Sequence, residues 1–267
     1  MTTLAAACRD VLLTADPYAK VRAARATARA WRRGDLAHVF ETLMPDRPAR
    51  PPEPELLPAS RMPKRGRGGS ERGRIAMLHA LAHIEFGAID LAFDIVGRFG
   101  AQFPRDFADD WIGVGADEAL HFVLLDRRLK TLGARYGSLP AHDGLWEAAE
   151  ATADDALARL AVVPMVLEAR GLDVTPATVA RFEAAGDMRS AIILNRIYRD
   201  EIRHVRAGTK WFESACKARG IAPVAEWKRL VGARFRGAIK PPFNDSARGE
   251  AGLSRDFYAG VDAQGYV

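Results

Sequence analysis

The chain has 267 residues, of which 48% are hydrophobic and 27% charged, with a formal net charge of +5. That balance belongs to an ordinary globular protein and excludes disordered, collagen-like and disulfide-scaffold classes. The only cysteines, Cys8 and Cys216, lie far apart and outside any Cys-x-x-Cys spacing, which excludes a thiolate metal site and leaves both as structural thiols.

The opening residues, MTTLAAACRDVLLTADPYAK, have no basic stretch before their apolar positions and meet Arg9 and Asp10 at once. They read as a helix rather than a secretion signal, and the cytoplasm is the expected compartment. No run approaches 18 consecutive apolar residues, so no membrane-crossing helix is expected. Residues 3–44 read as helical: an Arg- and Ala-rich helix over Val21–Arg33 ends near Gly34, and a second short helix spans Leu36–Met44. Residues 45–70 hold too many Pro and Gly for regular structure and read as an extended connector.

A long helix then runs from about Glu71 to Phe99, with Ile75, Leu78, Leu81, Ala82, Ile89, Ala92 and Val96 recurring at helical spacing around Glu85. His79 and His83 lie off the face of Glu85 and read as capped or partner-contacting histidines. Pro104 opens a second helix that passes His121 and stops near Leu132, before Gly133. A loop follows over Tyr136–Gly144. The third helix starts near Leu145 and ends near Gly171, with Pro164 bending it one turn before Glu168. Asp173 caps a short helix through Ala185, and a fourth long helix starts at Asp187 and reaches about Arg219. A short helix over Val224–Arg234 and an irregular Lys240-Pro241-Pro242-Phe243-Asn244 segment complete the chain.

Nothing alternates with period two for long, so the class is all-α. The expected organisation is an N-terminal helical extension (1–44), a connector (45–71), a four-helix bundle (72–219) and a C-terminal helix with an irregular tail packed on the bundle (220–267).

Two segments carry the chemistry: Asp117-Glu118-Ala119-Leu120-His121 and Asp200-Glu201-Ile202-Arg203-His204. On a helix, Glu and His three positions apart share a face, so one carboxylate and one imidazole can grip one ion. With 14 Glu and 6 His in the chain, about 0.3 Glu-x-x-His pairs would arise by chance, and pairs preceded by Asp are rarer still. Glu85 lies 33 residues before Glu118, and Glu168 lies 33 residues before Glu201. The chain thus repeats a helix bearing Glu followed by a helix bearing Glu-x-x-His, as a two-metal bundle requires.

The neighbours of these residues on their own faces are apolar: Leu78, Leu81 and Ile89 around Glu85, Trp111, Phe122 and Leu125 around Glu118 and His121, Met165 and Leu172 around Glu168, Leu194, Ile197 and Val205 around Glu201 and His204. Four buried carboxylates repel one another and lose hydration, and metal is the simplest counter-charge. The plainer reading of one Asp-Glu-x-x-His is a solvated polar face. Matched spacing and apolar flanks favour a dinuclear carboxylate site.

With those residues in hand, the chain resembles the ferritin-like superfamily of di-iron carboxylate proteins, whose pattern is Glu, Glu-x-x-His, Glu, Glu-x-x-His. It is more closely similar to a bacterial branch, the domain of unknown function 455, through AHIEFGAIDLAFD, ADEALHFVLLDRRL, AHDGLWE, VPMVLEARGLDVTP, DEIRHVRAGTKWF and KPPFN, over about residues 72–245. The resemblance implies that Glu85, Glu118, His121, Glu168, Glu201 and His204 ligate two iron ions, with manganese or a mixed pair as alternatives, and that Glu118 and Glu201 bridge them. It places Asp117 and Asp200 where relatives hydrogen-bond a ligating histidine. His142 and Tyr198 are the candidate substrate-contacting or acid/base groups, an ordinary loop histidine being the plainer reading of His142.

The expected function is an oxidoreductase, an oxygenase or oxidase that uses dioxygen on a small organic substrate. An electron-donor protein and a homodimer are the expected partners, with no membrane. A ferroxidase or a metal-stabilised protein without turnover is the alternative, and a hydroxylase acting on transfer RNA is the minor one. The basic clusters Arg61–Arg67 and Lys228–Lys240 read as solvated surface, since they lack the interleaved aromatics of a single-strand binding face.

Overall fold

The computed structural model describes residues 2–63 and 70–261. The described residues form an all-α helical bundle fold without strands, and their only extended pairing is two isolated bridges, Thr3 with Ala37 and Leu56 with Ala141. The chain divides into two compact units: Met1–Trp146 with Ala184–Ile193, and Glu147–Glu183 with Leu194–Val267. Lys64, Arg65, Gly66 and Arg67 of the first basic cluster lie outside the described residues.

In the first unit, α1 (Leu4–Leu12) starts at Thr3, whose hydroxyl accepts from Ala6 N at 3.2 Å. Helix α2 (Pro17–Arg33) is capped by Asp16 and ends at Gly34 in the left-handed conformation, φ +77°, a position that glycine fills without a Cβ penalty. The helix expected over Leu36–Met44 does not form. Its backbone runs extended instead, because Ala37 bonds both ends of the α1 entry: its carbonyl accepts from Leu4 N at 2.8 Å and its N–H donates to Thr2 O at 3.0 Å. The connector stays extended and is pinned by Leu57 N to Ala141 O and Ala141 N to Glu55 O.

Helix α3 (Glu71–Phe99) is capped by Ser70, whose hydroxyl accepts from Gly73 N, and it carries Glu71 in its first turn and Arg98 in its last, both favourable to the helix dipole. The helical stretch Glu71–Gln102 holds an 18-residue window of mean hydropathy 1.4, long and apolar enough to cross a membrane, and 67% of that window is buried inside the protein. Two acids on its core side end in ion pairs, Asp90 with Lys20 and Arg50, Asp94 with Arg98. Burial pushes the Lys20 ammonium below its ordinary value against the pull of Asp90,. Helix α4 (Arg105–Thr131) begins after Pro104, which is the cap residue rather than the first helical one. It ends where Gly133 takes φ +73° and Ala134 N returns to Leu129 O. Helices α1 and α2 pack on α3 and α4.

The single third helix of the sequence reading is four elements: α5 (Gly144–Glu150), α6 (Ala156–Val162), a π-turn over Val163–Glu168, and α7 (Ala169–Ala184). Asp155 starts α6 by accepting from Leu157 N, which explains the break before it. The helix does not stop at Gly171, nor does Asp173 cap a new one. Pro176 sits inside α7, where its ring would leave the Leu172 carbonyl without a partner. The Asn244 amide donates to that carbonyl at 3.1 Å.

Helix α8 (Met188–Ala218) is capped by Asp187, which accepts from Ser190 N at 3.1 Å. Helix α9 (Pro223–Arg234) lies close to its expected span, but the tail is less irregular than expected, since α10 (Asp245–Glu250) and α11 (Arg255–Tyr258) follow. Asn244 caps α10 through Ala247 N, and Arg248 on α10 forms two hydrogen bonds to Asp173, at 2.8 and 2.7 Å. Tyr258 and Phe257 bury the far end of the tail.

Candidate functional site

In the first unit α3 and α4 run against each other, and Gly115 sets how closely they approach. A Cβ on Gly115 would lie 2.6 Å from the Phe93 ring and 3.3 Å from Ala92 Cβ, so only glycine admits this crossing without a shift. One turn further along α4 is Glu118. Its Oε2 lies 3.2 Å from His121 Nδ1, and Glu85 Oε2 of α3 lies 3.0 Å from the same nitrogen. All three side chains are buried, at 5%, 1% and 0% exposure for Glu85, Glu118 and His121. The ligand atoms they offer fall within 4.8 Å of one another.

Two carboxylates and an imidazole have thus converged with a single ring N–H available at Nδ1 for both oxygens. That donor set, buried on helices whose neighbouring Phe86, Phe122 and Leu125 are buried too, suits a hard or borderline cation and lacks any thiolate.

The second unit carries the other three residues on a less regular frame. Pro164 has no N–H to donate, and the backbone widens there into the π-turn, where Ala169 N reaches Pro164 O. The Trp227 indole donates to Ala161 O at 3.2 Å, so a carbonyl at the edge of the widened turn is satisfied from α9. Glu168 is the last residue of that turn and is half-buried. A π-turn inserted into a helix is a recurrent mark of functional positions. Pro164 also packs on α8: a Cβ on Gly208 would lie 2.4 Å from Pro164 Cβ. One turn before Gly208 is His204, 1% exposed, with its Nδ1 3.5 Å from Glu201 Oε1.

Asp200 forms ion pairs with Arg196 at 2.8 Å and Arg203 at 2.5 Å, which holds its carboxylate along its own helix. Asp117 is half-buried on α4. The Tyr198 hydroxyl accepts from Asn244 Nδ2 at 3.0 Å, tying α8 to the start of α10. His142 sits in the loop before α5, where its Nδ1 accepts from Gly144 N at 3.3 Å, and it lines a small cavity with Arg50, His83 and Asp143.

His79 and His83 have partners, as their off-face positions imply. His83 Nδ1 meets the Tyr136 hydroxyl at 2.9 Å, and His79 Nε2 accepts from Gly137 N at 3.0 Å and Leu139 N at 3.4 Å. Burial pushes the pKa of each down to about 4, so both rings are neutral at pH 7. Burial also pushes both thiols up, Cys216 to about 11 and Cys8 further, which keeps them protonated.

The Asp173–Arg248 pair and the buried Tyr136 escaped the sequence reading. A buried aspartate inside a helix gives no local signal when its partner lies 75 residues away. For Tyr136, the signal was its place between Gly133 and Gly137 in a loop returning to α3.

The sequence profile of a family described as Protein of unknown function (DUF455) matches residues 13–259. A protein of Haemophilus influenzae, described as an uncharacterized protein, is 42% identical over 212 residues, covering 77% of this chain and 73% of the relative. No solved structure matches.

Proposed function

The chain belongs to the DUF455 family of proteins of unknown function, and we propose that it is a ferritin-like metalloprotein that holds two iron ions, or manganese in their place, and oxidises a small organic substrate with dioxygen. The observation that carries this reading is the convergence of Glu85, Glu118 and His121, two carboxylates and an imidazole buried together within 4.8 Å. The second Glu/Glu-x-x-His triad, Glu168, Glu201 and His204, repeats the same residue types at the same 33-residue spacing.

Carboxylate and imidazole donors without thiolate fit iron and manganese, and such ions, when bound, supply the electrons and open coordination positions for dioxygen chemistry. The residues of the chain do the rest. Glu85, Glu118 and His121 form one ligand set and Glu168, Glu201 and His204 the other. Glu85, Glu118, His121 and His204 are buried at 5% exposure or less, which strengthens the charge interactions of each set. Asp200, fixed by Arg196 and Arg203, anchors the polar edge of the helix that carries Glu201 and His204.

Anaerobic titration with Fe(II), followed by an oxygen pulse, tests the reading. It expects an endpoint of two ions per chain and a change in visible absorption when oxygen enters. An endpoint of one ion or none, or of hundreds per assembly, overturns it.

A further inference from the structure

The second unit contains a cavity of about 160 Å³ whose floor is the π-turn itself, Met165, Val166 and Leu167, the three residues before Glu168. Its walls are aromatic: Trp227 from α9, with Phe235 and Phe243 from the segment that links α9 to α10. A cavity of about 150 Å³ lined by such side chains accepts a benzene-sized guest. One ring, or an alkyl chain of similar bulk, therefore fills this one.

The polar lining has one sign in excess. Arg170, Lys240 and Arg248 stand against a single carboxylate, Asp173. That carboxylate is already engaged by two hydrogen bonds from Arg248 at 2.8 and 2.7 Å, and the Arg248 guanidinium also stacks over Phe243 and Tyr258. Arg170 is different. Its Nη1 donates to the carbonyls of Lys240 at 2.7 Å and Pro242 at 3.2 Å, and Asp173 is 3.5 Å away. The carbonyls leave its charge uncancelled, the Asp173 carboxylate that it also pairs with is shared with Arg248, and the exposed Lys240 adds a further positive charge from the linking segment. Apolar walls with a few converging charged groups are the usual composition of a small-molecule site.

We infer that this cavity binds a compact apolar acid, one ring or a short alkyl chain carrying a carboxylate, with the apolar part on the π-turn and the carboxylate toward Arg170 and Lys240. That this acid is the substrate rests on the proposed function, because the floor residues immediately precede Glu168 in the chain; that the cavity binds it does not. The segment between α9 and α10 is then a wall of the site rather than a passive tail. The two hydrogen bonds from Arg170 hold it in place.

Phenylacetate, 2-phenylethanol and acetate are the probes, titrated separately into the full-length protein and followed by calorimetry and by tryptophan fluorescence. Phenylacetate is expected to bind saturably at one per chain, 2-phenylethanol at least tenfold more weakly, and acetate not at all. Lys240→Gln should weaken phenylacetate at least threefold while changing 2-phenylethanol less than twofold, and Ala238→Trp, which fills the cavity from the linking segment, should abolish both. Absence of saturable phenylacetate binding, or binding unchanged by Ala238→Trp, overturns the inference. Equal affinity for phenylacetate and 2-phenylethanol overturns the assignment of an acid. Iron loading measured on the same samples separates the two claims: binding without loading sinks the metal reading alone, and loading without binding sinks the cavity alone.

Discussion

The two Glu/Glu-x-x-His helix pairs share a sequence pattern and differ in build. In the first, α3 and α4 are regular along their lengths, and the three donors close on one another at 3.0 and 3.2 Å with at most 5% exposure. In the second, the carboxylate-bearing helix widens into a π-turn at Pro164, Glu168 is half-buried, and His204 and Glu201 stand 3.5 Å apart. Both pairs use one glycine to bring the helices together, Gly115 against Phe93 and Gly208 against Pro164. The shared glycine shows that close helix approach is common to both, whereas among the described residues the π-turn occurs in the second pair alone. The regular pair holds its three donors close together, and beside the irregular one lies the cavity of Trp227, Phe235 and Phe243.

Each region also buries an ion pair, and breaking these should produce the largest effects on stability. Asp90→Ala strips Lys20, fully buried, of its carboxylate, and Asp173→Ala does the same to Arg248 at 3% exposure. Each should cost about 3–5 kcal/mol, because a buried charge is left uncompensated. Urea midpoints across pH should separate them. Lys20 can lose its proton as pH rises, so the Asp90→Ala deficit shrinks toward high pH, while an arginine keeps its charge and the Asp173→Ala deficit stays. Parallel behaviour of the two would mean that Arg50, the second partner of Asp90, and not Lys20 sets the Asp90→Ala deficit.

The glycine crossings come next. Gly115→Ala and Gly208→Ala would place a Cβ 2.6 and 2.4 Å from their neighbours, and overpacking of this kind costs about 1–3 kcal/mol. The proline ring and π-turn facing Gly208 are stiffer than the Phe93 ring facing Gly115, so Gly208→Ala should be the worse of the two in thermal unfolding. The reverse order would show that the π-turn yields.

The effect that vanishes near neutral pH is a titration in the first unit. His79 titrates near 4 when folded against an ordinary value of 6.5, so the unfolded chain takes up its proton first. Its contribution is complete above about pH 6.5 and is lost as pH falls from there to about 4, at no more than about 1.4 kcal/mol per pH unit. His79→Gln should flatten the stability curve in that window by up to one proton. A curve that keeps its slope would place the titration on another group.

Much of this is legible in the sequence. The start of α4, its end and the start of α8 follow from Pro104, Gly133 and Asp187, which act on their own backbone neighbours, and period and spacing put Glu85, Glu118 and His121 on the faces where they meet. What was not legible depends on partners far along the chain. Residues 36–44 are extended because Ala37 finds the N-terminal residues, and Pro176 sits within α7 because Asn244, 68 positions later, bonds the carbonyl of Leu172. Pro164 announced an irregularity, but a kink and a π-turn look alike in sequence. The contact of Gly208 with that proline, and of Trp227 with Ala161, selects the wider turn.

The central claim is that the two triads hold one metal ion each. Metal analysis of the protein purified without chelator, alongside Glu118→Ala and His204→Ala, tests it most directly. The account predicts two ions per chain for the unaltered protein and no more than one for either variant, with helix content by circular dichroism essentially unchanged. Two ions retained by both variants, or none in the unaltered chain after Fe(II) loading, would contradict it.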